Sequence, residues 1–235
     1  MGLKRGLSIL FILVSFTVGA QRPHVKNNPA YDDKPLHFGF TLGLNTMDFF
    51  VTHDPAGYAQ DTLYANVSKL LPGFNIGIVS DLRLAKYWDL RFLPGISFGQ
   101  RDLIYYRNQV VYNSKQRIES SFLEFPLILK YKAKRINNFR PYLMAGINYR
   151  IDMASRKAYN PDKAIYVRLK ALDLYHEEGF GIDFYLPYFK LTTELKVSTG
   201  FRNILVSEPS AEKPEFARAL QRLRSQIWVL SFHFE

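Results

Sequence analysis

From Phe38 onward the chain alternates apolar residues with small or charged ones, one for one. Phe38, Phe40, Leu42 and Leu44 alternate with Gly39, Thr41, Gly43 and Asn45. The same period recurs in Phe74–Ile78, Leu90–Phe98, Leu123–Tyr131, Leu143–Ile151, Phe180–Leu186, Leu191–Phe201 and Trp228–Phe234. A period of two puts one class of residue on each face of a β-strand. The pattern predicts an all-β fold of eight strands, each with one apolar face. Each strand can reach the roughly 9–11 residues that a tilted membrane strand needs.

The connections are sorted as well. Links 48–72, 107–116, 155–174 and 203–224 are long and polar, whereas those near 84–88, 132–139 and 187–189 are short. Long loops on one side and short turns on the other predict an eight-stranded antiparallel up-and-down transmembrane β-barrel in the outer membrane. The short turns carry aromatics that would form one interfacial girdle: Tyr87, Trp88, Phe139, Tyr142, Tyr188 and Phe189, with Phe234 at the same level. A soluble β-sandwich alternates too, but its apolar faces must meet each other and nothing in it sorts long links from short. Two details stay open. Thr62 to Val67 can form a further short strand, and one hairpin can turn at Arg107-Asn108 or at Asn113-Ser114.

The chain starts differently. Residues 1–20 hold Lys4 and Arg5, an apolar run from Leu7 to Val18, and the small pair Gly19-Ala20. This is the layout of a secretory signal peptide. Its loss would lower the formal charge from +10 to +8 by removing Lys4 and Arg5. Residues 21–36, with Pro23, Pro29 and Pro35, predict an extended, weakly ordered periplasmic tail, which leaves 37–235 for the barrel. Aromatics make up 15% of the chain although its mean hydropathy is slightly negative, as fine alternation requires. With zero Cys there is no disulfide framework and no thiolate metal site. His24, His37, His53, His176 and His233 show no metal spacing, and no cofactor is implied.

An eight-stranded barrel is just wide enough for its own side chains. The inward set includes Arg91, Glu124, Lys130, Asp183, Glu194 and Lys196. Unpaired charges are costly in a dry interior, so these predict a plug of salt bridges; an ion or proton path is the rival reading. Gly95-Ile96-Ser97-Phe98-Gly99 spells a hydrolase nucleophile elbow, but that motif needs a sharp strand-to-helix turn, and Ser97 lies inside an alternating strand. His53 with Asp54, and His176 with Glu177 and Glu178, are the other acid–base clusters, and both read more simply as solvated loops. Two basic clusters stand out. Lys130, Lys132, Lys134, Arg135 and Arg140 crowd a short turn, which would meet phospholipid headgroups or a periplasmic partner. Arg156, Lys157, Lys163, Arg168 and Lys170 lie on a long outward loop, placed for lipopolysaccharide phosphates. Either cluster can also be only a solvated basic rim. An exported, membrane-embedded chain has no use for nucleic acid.

The segment 37–49, HFGFTLGLNTMDF, resembles the start of the barrel in the PorT family of Bacteroidetes, part of the type IX secretion machinery. Residues 121–154, SFLEFPLILKYKAKRINNFRPYLMAGINYRIDMA, are similar to the middle of that family. Its Leu-Glu-Phe-Pro and Arg-Pro-Tyr-Leu elements are shared by a wider superfamily of Bacteroidetes outer-membrane barrels. The resemblance implies an outer-membrane component needed for export and maturation of sorting-domain cargo, and in gliding species of surface adhesins. It implies no catalytic residue. A barrel filled by its own side chains cannot pass protein, so the implied role is that of an accessory or docking factor contacting other type IX components. The alternatives are a lipid-modifying hydrolase using Ser97, His53 or His176, and a narrow channel depending on Glu194 and Lys196.

Overall fold

The structure is a computed structural model that describes residues 26–53, 63–107, 110–155, 168–206 and 220–235, with backbone alone at 53, 63–70, 107 and 110–117. Its strands are β1 (Leu36–His53), β2 (Leu63–Leu70), β3 (Pro72–Arg83), β4 (Trp88–Phe92), β5 (Gly95–Arg107), β6 (Val110–Lys132), β7 (Phe139–Asp152), β8 (Leu172–Tyr185), β9 (Lys190–Gly200) and β10 (Leu220–Phe234). Every pairing is antiparallel. β1 pairs with β10 on one edge and with β3 on the other, so the sheet closes on itself.

The ten segments make eight staves. β2 continues the line of β3 past Leu71, and both lie against β5. β4 and β5 are halves of one stave interrupted at Leu93-Pro94, where proline has no N–H to give the ladder. Ser80 lies opposite Phe92 and Gly77 opposite Gly95, so the register carries across the break unchanged.

Alternation now has a direction. Phe38, Phe40, Leu42 and Leu44 point outward, as do Phe74, Ile76, Ile78, Leu127, Leu129, Leu143, Ile147, Phe180 and Leu230. Phe38 is 65% exposed and Leu143 is 63% exposed. A soluble sandwich would bury these side chains, and so broad an exposed apolar belt is tolerated only against lipid.

Two predicted connections, 48–72 and 107–116, are largely strand where the structure describes them. β1 runs to His53, and the stretch expected near Thr62–Val67 is β2. The link 107–116 is a ribbon, because β5 and β6 stay paired as far as Arg107 opposite Val110, which favours the earlier of the two turn positions. Residues 107–116 carry no sustained apolar–polar alternation in sequence, so the strand pattern does not mark them. The tail is not merely extended. Asn28 adopts a left-handed conformation (φ 47°), Pro29 opens a 3-10 turn over Pro29–Asp33, and Tyr31 is buried. The Tyr31 ring stacks on His37 at 4.0 Å, and the Arg83 amide donates to the Pro35 carbonyl at 2.8 Å. The signal segment 1–20 lies outside the described residues.

One girdle residue is misplaced by the sequence reading. Phe139 faces outward, so Tyr142, an odd number of positions later, must face inward; it is 3% exposed. Its ring covers Gly181, its cross-strand partner on β8. A Cβ on Gly181 would lie 2.5 Å from that ring. Gly181→Val is therefore expected to force Tyr142 off its site and destabilise the barrel by about 1–3 kcal/mol, read as a lower urea midpoint in lipid vesicles. An unchanged midpoint would mean the ring has room to move.

Candidate functional site

Inward parity places Asp81, Arg91, Lys130, Asp183, Glu194 and the chain's last residue, Glu235, in one buried group in the periplasmic half of the bore. Arg91 lies at its centre. Its Nη2 is 2.8 Å from Asp81 and 3.3 Å from Glu235, and its Nη1 is 3.2 Å from Glu194. Lys130 donates to both oxygens of Asp183 at 2.9 Å, and Thr192 donates to the same carboxylate at 2.7 Å. The Tyr142 hydroxyl donates to Glu194 at 2.6 Å, with His233 Nε2 3.4 Å from the same oxygen.

Further toward the extracellular side Glu177 takes over as the hub. It accepts from Asn148 at 2.8 Å, from Ser198 and Lys196 at 2.9 Å and from Arg150 at 3.1 Å. Arg150 Nε is also 3.1 Å from Glu124. Above this, Arg101 donates to Ser225 at 2.6 Å and stacks over the Phe49 ring at 3.9 Å. Phe49 begins an apolar cap with Leu103, Leu169, Ile204, Leu205 and Leu223. Leu169 and Leu205 pair as an isolated bridge, and the Ile204 amide donates to Leu223 at 3.0 Å, so segments from two loops close the mouth.

All six residues expected inside are inside, but they are half of the network. Asp81 and Arg150 share their parity and were legible. Glu177 was missed because β8 begins at Leu172, not near Phe180. Glu235, one position past the last aromatic, is held by Lys190 at 2.9 Å.

The basic turn departs furthest from expectation. Lys132 turns inward to Asp89 at 2.6 Å. Arg140 clamps both oxygens of Asp32 at 3.0 and 3.2 Å, and Tyr185 donates to Asp32 at 3.0 Å. Arg135 lies 3.6 Å over the Tyr185 ring and donates to Asn138 and to the Asn27 carbonyl. Of the five basic residues in the turn, only Lys134 is exposed. The acids come from β4 and from the tail, which no local window of sequence reveals. The tail thus lies across the periplasmic mouth, with the Tyr31 hydroxyl donating to Glu235 at 3.1 Å. Burial pushes the Tyr31 phenol well above its ordinary range, so it stays a donor.

On the outside, Tyr87, Trp88, Tyr188 and Phe189 are exposed at the periplasmic rim, with Phe139 half-exposed. Phe234 stacks on Phe40 at 4.9 Å and on Phe189 at 6.1 Å. Of the outward basic loop, Arg168 is half-buried and Lys170 exposed, while Arg156, Lys157 and Lys163 lie outside the described residues.

Among the described residues, the candidate hydrolase residues Ser97 and His176 are not brought together. Ser97 is buried in the bore within β5, opposite Asn75 on β3, with no sharp turn. His176 is on the outer face of β8, with the barrel wall between the two, and the His53 side chain lies outside the described residues. A cavity of about 20 Å³ beside Thr41, Asn75, Lys196 and His233 has room for about one water.

A buried ion network adds little net stability, but breaking it is costly because a charge is left uncompensated. Arg91→Leu strands three carboxylates and is expected to cost about 3–5 kcal/mol, whereas Lys134→Ala should stay within about 0.5 kcal/mol. Urea unfolding in vesicles measures both. Equal midpoints would show that the network is not what fills the bore to advantage.

Among curated proteins none matches the chain. Solved structures give fold-level likeness. The chain is similar to the outer membrane protein OprG of Pseudomonas aeruginosa, with 15% identity, 84% of this chain and 93% of that one covered, and a TM-score of 0.48. It is similar to Neisserial surface protein A, with 11% identity, coverage of 85% and 98%, and a TM-score of 0.42. It is also similar to Ail, the attachment invasion locus protein of Yersinia pestis, with 12% identity, coverage of 84% and 96%, and a TM-score of 0.38. Residues 20–206 match the family described as outer membrane protein beta-barrel domain. That match spans most of the chain, and with the closed, lipid-faced sheet it makes the chain an outer-membrane protein and a member of that β-barrel family.

Proposed function

We propose that the chain is a non-enzymatic accessory or docking component of the type IX protein secretion machinery, needed for export and maturation of sorting-domain cargo. The observation that carries the reading is the filled bore. Ion pairs occupy its lower half, an apolar cap its upper end, and the chain's own tail its periplasmic mouth. A barrel filled in this way acts through its surfaces. The resemblance of 37–49 and 121–154 to PorT proteins supplies the machine in question.

The surfaces available for this work are fewer than the sequence implied. Most of the basic turn is spent on the tail and on β4, which leaves Lys134 and the aromatic turn at Tyr188 facing the periplasm. On the other side stand the ribbon of β5 and β6 and the basic loop with Lys170, whose charge suits lipopolysaccharide phosphates.

The test is the secretome of a strain lacking the gene, with plasmid complementation. Sorting-domain cargo is expected to disappear from the medium and to collect as periplasmic precursors. Normal export would overturn the reading. In planar bilayers the purified chain is expected to be electrically silent, and a steady conductance would replace the accessory with a channel.

A further inference from the structure

Among the described residues, the outer wall carries one charge at a level where contact with lipid is costly. Glu178, on β8, points outward and is exposed, although its neighbours Glu177 and Gly179 face the bore. Around it the wall is apolar: Phe180 is 55% exposed and Ile147 is 49% exposed, and its cross-strand partners are Ala145 and Val197.

Its depth follows from the pairing. Strands in a barrel are tilted, so a row of paired residues descends as it passes around the wall. The row through Glu178 runs one way through Val197 and Trp228 to Thr46, beyond which β1 turns Asp48 outward at its extracellular end. The other way it runs through Ala145, Leu129 and Leu90 to Leu82, beside the periplasmic turn. Glu178 sits midway along a row that spans the belt from edge to edge. An ionisable side chain at that level is costly against hydrocarbon and marks a site of interaction.

Among the described residues no cation pairs with Glu178. Two positions up the same face, His176 Nδ1 is buried without a hydrogen-bond partner. Immediately below, an apolar groove of about 410 Å³ opens in the wall, lined by Tyr131, Ala133, Pro141, Leu143, Phe180 and Ile182. Phe180 and Leu143 join the groove to the Glu178 site, being the next outward residues below Glu178 and Ala145.

We infer that this face of β7 and β8 docks a second membrane protein, through a bilayer-spanning segment that presents a Lys or Arg to Glu178 and lays apolar side chains in the groove. The charge selects this occupant. Acyl chains bring no donor, and lipid phosphates are anionic and lie at the rims. A second copy meeting the same face would set Glu178 against Glu178. The described outward cations nearest in height, Arg222 and Arg224 of β10, lie above the Gln226 level, where that stave has left the apolar belt. Ala145 opposite Glu178 leaves space for a long cationic side chain to reach the carboxylate. The inference goes beyond the secretion reading and does not rest on it, since it follows from the wall alone.

The test uses the full chain, labelled through a Tyr188→Cys variant at the exposed turn, in phosphatidylcholine vesicles. The probe is an acceptor-labelled apolar helical peptide of about 20 residues with one central Lys, and the control is the same peptide with Leu there. Energy transfer is expected to show association roughly tenfold tighter for the Lys peptide, falling to the control level with Glu178→Leu and retained with Glu178→Asp. Equal association of the two peptides, or no effect of Glu178→Leu, would overturn the inference. Urea unfolding keeps the variant interpretable. Glu178→Leu should raise the midpoint of the lone barrel, and a lowered midpoint would make Glu178 an internal structural residue instead.

Discussion

Hydrocarbon offers no hydrogen bonds, and a strand in a bilayer must therefore find backbone partners on both edges. Everything else in this molecule descends from that demand. β1 meets β10 and β3, and the closed sheet has eight staves. Eight staves leave a bore that side chains alone can fill. Filling it with apolar residues on both faces would erase the distinction that inserts the chain one way around. Filling it with charges keeps the inner face polar, provided each charge meets its opposite inside.

That proviso shapes the interior. Arg91 reaches three carboxylates on three different staves, and Glu177 gathers donors from β7 and β9. Such contacts tie strands far apart in sequence. A slip of one residue in any stave would turn its charges into the lipid, so the network also fixes the register. The upper end is built otherwise. There the staves rise past the membrane, Arg101 stacks on Phe49, and an apolar cluster closes the mouth as in a soluble core. The change from ionic to apolar filling follows the change of solvent outside.

Much of this was legible because parity is a local property. Arg91, Lys130, Asp183, Glu194 and Lys196 could be assigned to the bore from their immediate neighbours alone. Three things escaped. In β8 the run Tyr175-His176-Glu177-Glu178 interrupts the apolar–polar period above Phe180, and 107–116 show no sustained period, so Glu177 and the ribbon of β5 and β6 read as loops. Tyr142 was judged by its chemistry and not by its parity, which sends it inward over Gly181. The tail partners of Arg135 and Arg140, Asn27 and Asp32, are more than a hundred positions away. Nothing near 135–140 foretells them.

The tail has a consequence for closure. The seam between β1 and β10 joins the first strand to the last, and it can form only when the rest of the barrel is in place. At its lower edge the seam brings Phe40 against Phe234 and leaves Glu235 in the mouth of the bore. There Tyr31, Lys190 and Arg91 all reach Glu235. The tail residue Asp32 meanwhile holds Arg140 and Tyr185 on the opposite wall. The two ends of the described chain are thus tied to each other and to the far side of the barrel by one set of contacts. The contact that crosses the seam itself, Tyr31 to Glu235, forms only when β1 and β10 are together. The tail therefore works as a latch on the finished ring, stabilising the closed state selectively over any barrel with an open edge.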